Sequence, residues 1–135
     1  MTIIFHPKRG TILECDFKGF IQPEMIKRRT VVVLSPQIGD RPGLCTVVAL
    51  SLTKPKVIQK YHLEIFFDPE LPYPYASPSK WLKGDMIYSV SFARLDLLFK
   101  GKDRNGKRIY DIRVLGDEVM RKVEACVLNG LGIED

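Results

Sequence analysis

The sequence predicts a mainly β (α+β) fold, a small twisted antiparallel sheet or barrel covered by one C-terminal amphipathic helix, and three observations predict it. Short runs rich in Val, Ile, Leu and aromatic residues occupy positions 10–17, 29–35, 44–51, 61–67 and 85–92, separated by Gly, Pro or charged segments. Such runs read as strands. The connections are mostly of hairpin length, which suits antiparallel pairing rather than crossovers. Only the last segment, after Asp117, has helical spacing.

Each element has its own warrant. The runs GTILECDF, RTVVVLS and LCTVVALS are dominated by β-branched and aliphatic residues, and YHLEIFF alternates polar with apolar positions. Segments 94–99 and 107–114 flank GKDRNG, where Asn105-Gly106 supplies the positive-φ residues that a tight turn needs, so they pair best as a hairpin. Asp117 is a plausible N-cap, Val119, Val123, Cys126 and Val127 fall on one helical face, and Asn129-Gly130 is a stop signal. One loop stands apart. Positions 68–80, DPELPYPYASPSK, hold four of the nine prolines, which deny it strand hydrogen bonds, and a loop of that length is often functional.

With 135 residues the chain suits a single domain, 1–135, with no internal repeat and no low-complexity tract. Its 45% hydrophobic and 27% charged residues suit a protein that buries a core. The terminus MTIIFHPKRG lacks the long apolar region of a signal peptide, and no run approaches the roughly 20 apolar residues of a spanning helix. A cytoplasmic protein without membrane association is expected. Cys15, Cys45 and Cys126 are an odd count without CxxC pairing and lie among apolar residues, so buried reduced thiols are expected. Twenty-one Lys and Arg against sixteen Asp and Glu give a net charge of +5, which attracts polyanions and favours nucleic acid without establishing it.

There is no Gly-rich phosphate loop, no HExxH and no CxxC, so neither a metal nor a cofactor is expected. His62 lies in an alternating strand, where a surface or hydrogen-bonded position is expected. His6, before Pro7, is expected to be solvated, with a flexible proton carrier as the alternative. The informative segment is PEMIKRRTVVVLS. Lys27, Arg28 and Arg29 stand immediately before an apolar strand, so a rigid sheet can hold at least one of them while the others face solvent. Arginine offers planar donors matched to phosphate oxygens and keeps its charge at physiological pH, which suits Arg29 to phosphate recognition and makes it a poor general acid; the alternative for the segment by itself is a solvated turn with three basic residues.

Here the chain resembles the PemK/MazF family of toxin endoribonucleases. Lys8-Arg9-Gly10 through Asp16-Phe17 looks like the family's opening RGD/E strand. The stretch from Glu24 to Ser35 resembles its E-x-x-x-x-R-P-x-V-V-L-S element, with Glu24 and Arg29 in matching places. Val48-Ala49-Leu50-Ser51 is similar to the next strand, which ends in Thr or Ser, and His62-Leu63-Glu64-Ile65 to the strand after that. Gly116 to Ile133 is similar to the closing helix with its L-G-[LI] ending. No single motif is very specific, but the ordered set covers positions 8 to 133.

The resemblance implies an SH3-like barrel of the PemK/CcdB type, metal-independent cleavage of single-stranded RNA, a homodimer, and inhibition by a small acidic antitoxin. It implies attack of the RNA's own 2′-hydroxyl on the adjacent phosphate. Arg29 would bind that phosphate, Ser51 would hydrogen-bond it, and Glu24 would accept the 2′-hydroxyl proton. Lys27, Arg28, Lys54 and Lys56 stand as RNA-binding candidates. The alternative is a non-catalytic toxin or binding module of the same fold, poisoning gyrase or only binding RNA.

The sequence departs from the family at Met25, Ile26 and Thr30, where the pattern has Gln-Gly after the glutamate and Pro after the arginine, so the loop has a stiffer composition. It also departs at Tyr88-Ser89-Val90-Ser91, which lacks the usual acidic or Gln-rich character. Lys102, Arg104, Lys107 and Arg108, in an enlarged hairpin, would extend a backbone-binding track or simply form an exposed charged tip.

Overall fold

The computed structural model describes residues 2–39 and 41–133. Eight strands and one helix follow in order: β1 (Ile12–Cys15), β2 (Arg29–Val33), β3 (Leu44–Ser51), β4 (His62–Phe66), β5 (Ser79–Ser91), β6 (Leu95–Asp96), β7 (Leu98–Lys102), β8 (Arg108–Asp111) and α1 (Asp117–Gly130). Six of the strands form one antiparallel sheet in the order β4-β5-β3-β2-β1-β6, and β7 pairs only with β8. The mainly β architecture with a C-terminal helix is as expected, but the sheet does not close into a barrel. Its outer strands β4 and β6 do not pair with each other, because β6 is only two residues long and the chain then leaves for the β7–β8 hairpin.

Both faces of the sheet are covered, which is why β2 and β3 are nearly continuous apolar runs. Ile12, Val32, Val48, Leu50 and Leu82 pack on one face with Met120, Val123 and Cys126 of α1, and with Leu71 from the proline-rich loop. Leu13, Cys15, Val31, Val33 and Val47 pack on the other face with Ile3, Phe17 and Leu95. All three cysteines are buried and free, as expected, and burial pushes the Cys15 thiol up to about 12.

Four local expectations are corrected. β5 begins at Ser79 rather than at position 85, because Lys80, Leu82 and Gly84 alternate inward and pair with both β3 and β4; charged and glycine positions had disguised the pattern. The expected strand at 94–99 divides into β6 and β7, which pair with different partners. In the hairpin turn only Gly106 has positive φ (77°); the Asp103 carboxylate accepts the N–H groups of Asn105 (2.8 Å) and Lys107 (2.9 Å) and shapes the turn instead. At α1 the N-cap is Gly116, and Asp117 and Glu118 lie in the first turn, where they favour the positive end of the helix dipole.

The helix stop also moves. Gly130 stays helical and Gly132 (φ 73°) reverses the chain, with Ile133 N–H donating to Leu128 O at 2.9 Å. Gly130 is needed inside the helix for packing: α1 crosses β5 so closely that a Cβ on Gly84 would lie 2.6 Å from Cys126 O and from Tyr61 O, and a Cβ on Gly130 would collide with Gly84 O.

Candidate functional site

The register of the sheet brings charged residues to one end of the core. Glu14 pairs with Thr30, and these continue the inward row of Ile12 and Val32. Lys80, two residues before Leu82 and opposite Ile65, continues the same row on β5. On the other face of β2 and β3, Val31 pairs with Ala49, so two residues further along that register Arg29 stands opposite Ser51. Where the strands end, the two rows meet around a cavity of about 390 Å³, whose lining includes Glu14, Arg28, Arg29, Thr30, Ser51, Tyr75 and Lys80. Leu52, Thr53 and Pro74, all exposed, complete its mouth.

The two neighbouring arginines have different electrostatic surroundings. Arg28 is neutralised by three carboxylates: its Nε donates to Glu14 Oε1 (2.7 Å), and its two terminal nitrogens donate to Asp16 Oδ2 (3.2 Å) and Asp96 Oδ2 (2.8 Å). The Glu14 hydrogen bond is the first cause that raises the Arg28 pKa further. Arg29 is half-buried and bonds no carboxylate among the described residues; its guanidinium donates only to Arg28 O at 3.5 Å. A guanidinium held by the sheet, with unused donors facing a cavity, is the arrangement that binds a phosphate. Ser51 Oγ accepts Thr53 N–H at 3.1 Å, which leaves its own proton for another acceptor.

The inner row adds chemistry that the sequence reading did not single out. Lys80 is only 5% exposed; burial, and then the nearby Arg29 charge, lower its pKa. The Tyr75 hydroxyl donates to Glu14 Oε2, and burial followed by that hydrogen bond raises the phenol pKa. Thr30, 2% exposed, has a buried hydroxyl with no hydrogen-bond partner among the described residues. Glu14 carried a legible signal, as a charged residue at an inward position of an apolar run, whereas the signal of Lys80 was weakened by the charged and glycine positions around it. Tyr75 carried none, because the docking of a loop 61 residues away along the chain brings it to Glu14.

Of the residues singled out from the sequence, Arg28, Arg29 and Ser51 come together. Glu24, Lys27, Lys54 and Lys56 are exposed and do not line the cavity. Glu24 Oε1 accepts Ile21 N–H at 2.8 Å. Lys54 and Lys56 follow Thr53 on the loop at the mouth. The loop before Arg29 is tied down, since Phe17 and Phe20 pack on Tyr88 with ring centroids 4.9 and 5.5 Å away, and Met25 N–H donates to Tyr88 Oη at 3.0 Å. Arg94 lies 4.8 Å over the Phe20 ring and donates to Asp16 O and Lys18 O. Tyr88 thus serves to anchor this loop.

Both histidines have local roles. His62 Nδ1 accepts Gln59 N–H at 3.0 Å, as a hydrogen-bonded strand residue would. His6 is half-buried rather than solvated, with Nδ1 2.8 Å from Pro7 O and its ring edge-on to Phe92. Among the described residues no three His, Cys, Asp or Glu side chains are grouped so that they could hold a metal ion. No helix among them is long and apolar enough to cross a membrane.

Residues 8–130 match the family model described as "PemK-like, MazF-like toxin of type II toxin-antitoxin system". An uncharacterized protein of Haemophilus influenzae is 32% identical, over 93% of this chain and 90% of its own length. The YifN protein of Escherichia coli K12 is 36% identical, over 71% of this chain and 76% of its own. The fold is shared with MazF of Deinococcus radiodurans (TM-score 0.62, 18% identity, 96% of this chain and 99% of that one). It is shared as well with a Mycobacterial endoribonuclease solved with its cognate antitoxin (TM-score 0.62, 13% identity, 96% and 98%). The matched span and the 32% identical relative show that this chain belongs to the PemK-like, MazF-like toxin family of type II toxin-antitoxin systems.

Proposed function

We propose that this protein is the toxin of a toxin-antitoxin pair and an endoribonuclease that cleaves single-stranded RNA in the cytoplasm without a metal ion. The observation that carries this reading is the placement of Arg29, free of carboxylates, opposite Ser51 at the lip of an open, polar cavity. In the reaction the RNA's 2′-hydroxyl attacks its own 3′-phosphate, leaving a cyclic phosphate and a 5′-hydroxyl. Arg29 holds the phosphate and stabilises charge developing on its equatorial oxygens, and the Ser51 hydroxyl donates to the same group. Lys27, Lys54 and Lys56, exposed on flanking loops, attract the RNA backbone from outside the cavity. Arg28 contributes less to RNA binding, because three carboxylates already neutralise it.

Structural neighbours solved with an antitoxin support an antitoxin partner here, which we take to be a small acidic protein, and this protein is proposed to act as a homodimer. Purified protein is to be incubated with mixed-sequence RNA and a chelator. Cleavage products with cyclic phosphate ends are expected, and Arg29→Ala should lower the rate by about a hundredfold or more. If the wild type binds RNA at any excess without forming product, the protein is a non-catalytic binder of the same fold. If Arg29→Ala cleaves as fast as the wild type, Arg29 is not the phosphate ligand. Sedimentation at micromolar concentration should show a species of twice 15.4 kDa; a single species at 15.4 kDa removes the dimer.

A further inference from the structure

The mechanism above needs a group that takes the 2′-hydroxyl proton, and Glu24 stands outside the cavity with its carboxylate on Ile21 N–H. Lys80 is the side chain inside the cavity that has no structural use. It is 5% exposed, and no salt bridge or hydrogen bond engages its amine among the described residues, although lysine is rarely buried without a partner. Thr30, on the same inner row and the same cavity wall, holds a buried hydroxyl without a partner among the described residues. A lysine amine without a carboxylate and a buried hydroxyl without a partner, both on the wall that also carries the proposed phosphate ligand, suit a site completed by its substrate.

Resting on the reading of this cavity as an RNA-cleaving site, we propose that Lys80 is a catalytic residue: its amine, in the unprotonated form, is the base that takes the proton from the RNA's 2′-hydroxyl. The freed 2′-oxygen forms its bond to phosphorus while the bond from phosphorus to the 5′-oxygen breaks, and the electron pair leaves on that oxygen. Water at the cavity mouth protonates the 5′-oxygen, and the Lys80 ammonium returns its proton to the hydroxide so formed. Amine and water are regenerated.

The surroundings suit this role. Burial opposes protonation of the amine most, and from β2 the Arg29 charge acts in the same direction, while Arg28 is neutralised by its three carboxylates. From β1, Glu14 is occupied by Arg28 and by the Tyr75 hydroxyl of the proline-rich loop, so it does not hold the amine as an ammonium. The end of β3 and the loop after it present only uncharged residues, among them Ser51 and Thr53, and the β4 carboxylate of Glu64 is bonded to Ser79 Oγ at 2.7 Å. α1 meets β5 further along, at Gly84, through Cys126. The competing bases are weaker candidates: Tyr75 keeps its proton, and Arg29 never loses one.

The test uses the full chain, RNA of mixed sequence, and the same RNA carrying 2′-O-methyl groups as an uncleavable binding probe. Lys80→Met and Lys80→Arg should remain folded by thermal denaturation and bind the probe within about threefold of the wild type, while kcat falls by about a hundredfold or more. The wild-type rate should rise with pH to a plateau, a limb that both variants lack. Small primary amines added to Lys80→Ala should restore part of the rate with a pH dependence that follows the added amine. A Lys80→Arg protein with near wild-type kcat, or one in which only probe binding is lost, would make Lys80 a charge or a support and overturn its role as base while RNA cleavage stands. If the wild type does not cleave RNA at all, the proposed function fails and this inference falls with it.

Discussion

Tyr75 donates its hydroxyl proton to Glu14, and this one bond ties the proline-rich loop to the first strand across 61 residues of chain. It also fixes Glu14 between Tyr75 and Arg28, so that the carboxylate is committed before any ligand arrives. Removing the phenol oxygen leaves a carboxylate that is only 13% exposed with one donor fewer. Tyr75→Phe should therefore cost about 1–2 kcal/mol in urea unfolding, and should loosen the loop as seen by hydrogen exchange at positions 72–77. Unchanged stability would mean that the loop is held without this bond, by the burial of Leu71 and by Arg113, whose guanidinium donates to Pro69 O.

Gly84 and Gly130 let β5 and α1 approach backbone to backbone. An Ala at 130 in an open helix would gain about 1 kcal/mol from helix propensity. Here the added carbon collides with Gly84 O, which belongs to a paired strand and cannot swing away. Gly130→Ala and Gly84→Ala should each lose about 1–3 kcal/mol or more in chemical denaturation. A stabilised Gly130→Ala would show that the helix can shift freely.

Arg28 and Arg29 should respond oppositely to substitution. Arg28→Met breaks three ion pairs on a side chain that is 51% exposed, so about 1 kcal/mol of stability should go, less at high salt, with a small change in RNA affinity. Arg29→Ala should leave the melting temperature nearly unchanged and remove cleavage. Equal effects of the two substitutions on activity would refute the division of roles.

Lys80 should make stability depend on pH in a defined direction. Its folded pKa lies below the ordinary 10.5, so between the two values the unfolded chain binds more protons than the folded one. Unfolding free energy contributed by this group therefore rises as pH climbs through that window, and the penalty of the buried charge is fully present below it. Lys80→Met should be more stable than the wild type at neutral pH, with the difference shrinking toward pH 10.5. A less stable Lys80→Met would show that the amine is held by favourable contacts.

The order of short strands followed by one helix, the three buried thiols and the placement of Arg29 and Ser51 at strand ends were legible in the chain, because apolar periodicity and the position of polar residues at strand ends are local properties. Glu14 was half legible and Lys80 less so: each is a charge at an inward position, but nothing along the chain says that two such positions, on β1 and β5, share one cavity. That depends on strand register. Whether the sheet closes, where β5 begins, which glycine ends α1, and which carboxylate the Tyr75 hydroxyl meets were decided only by tertiary packing. The reason is that these features follow from contacts between elements far apart in sequence, where burying Leu71 and bringing Gly84 against Gly130 outweigh local preference.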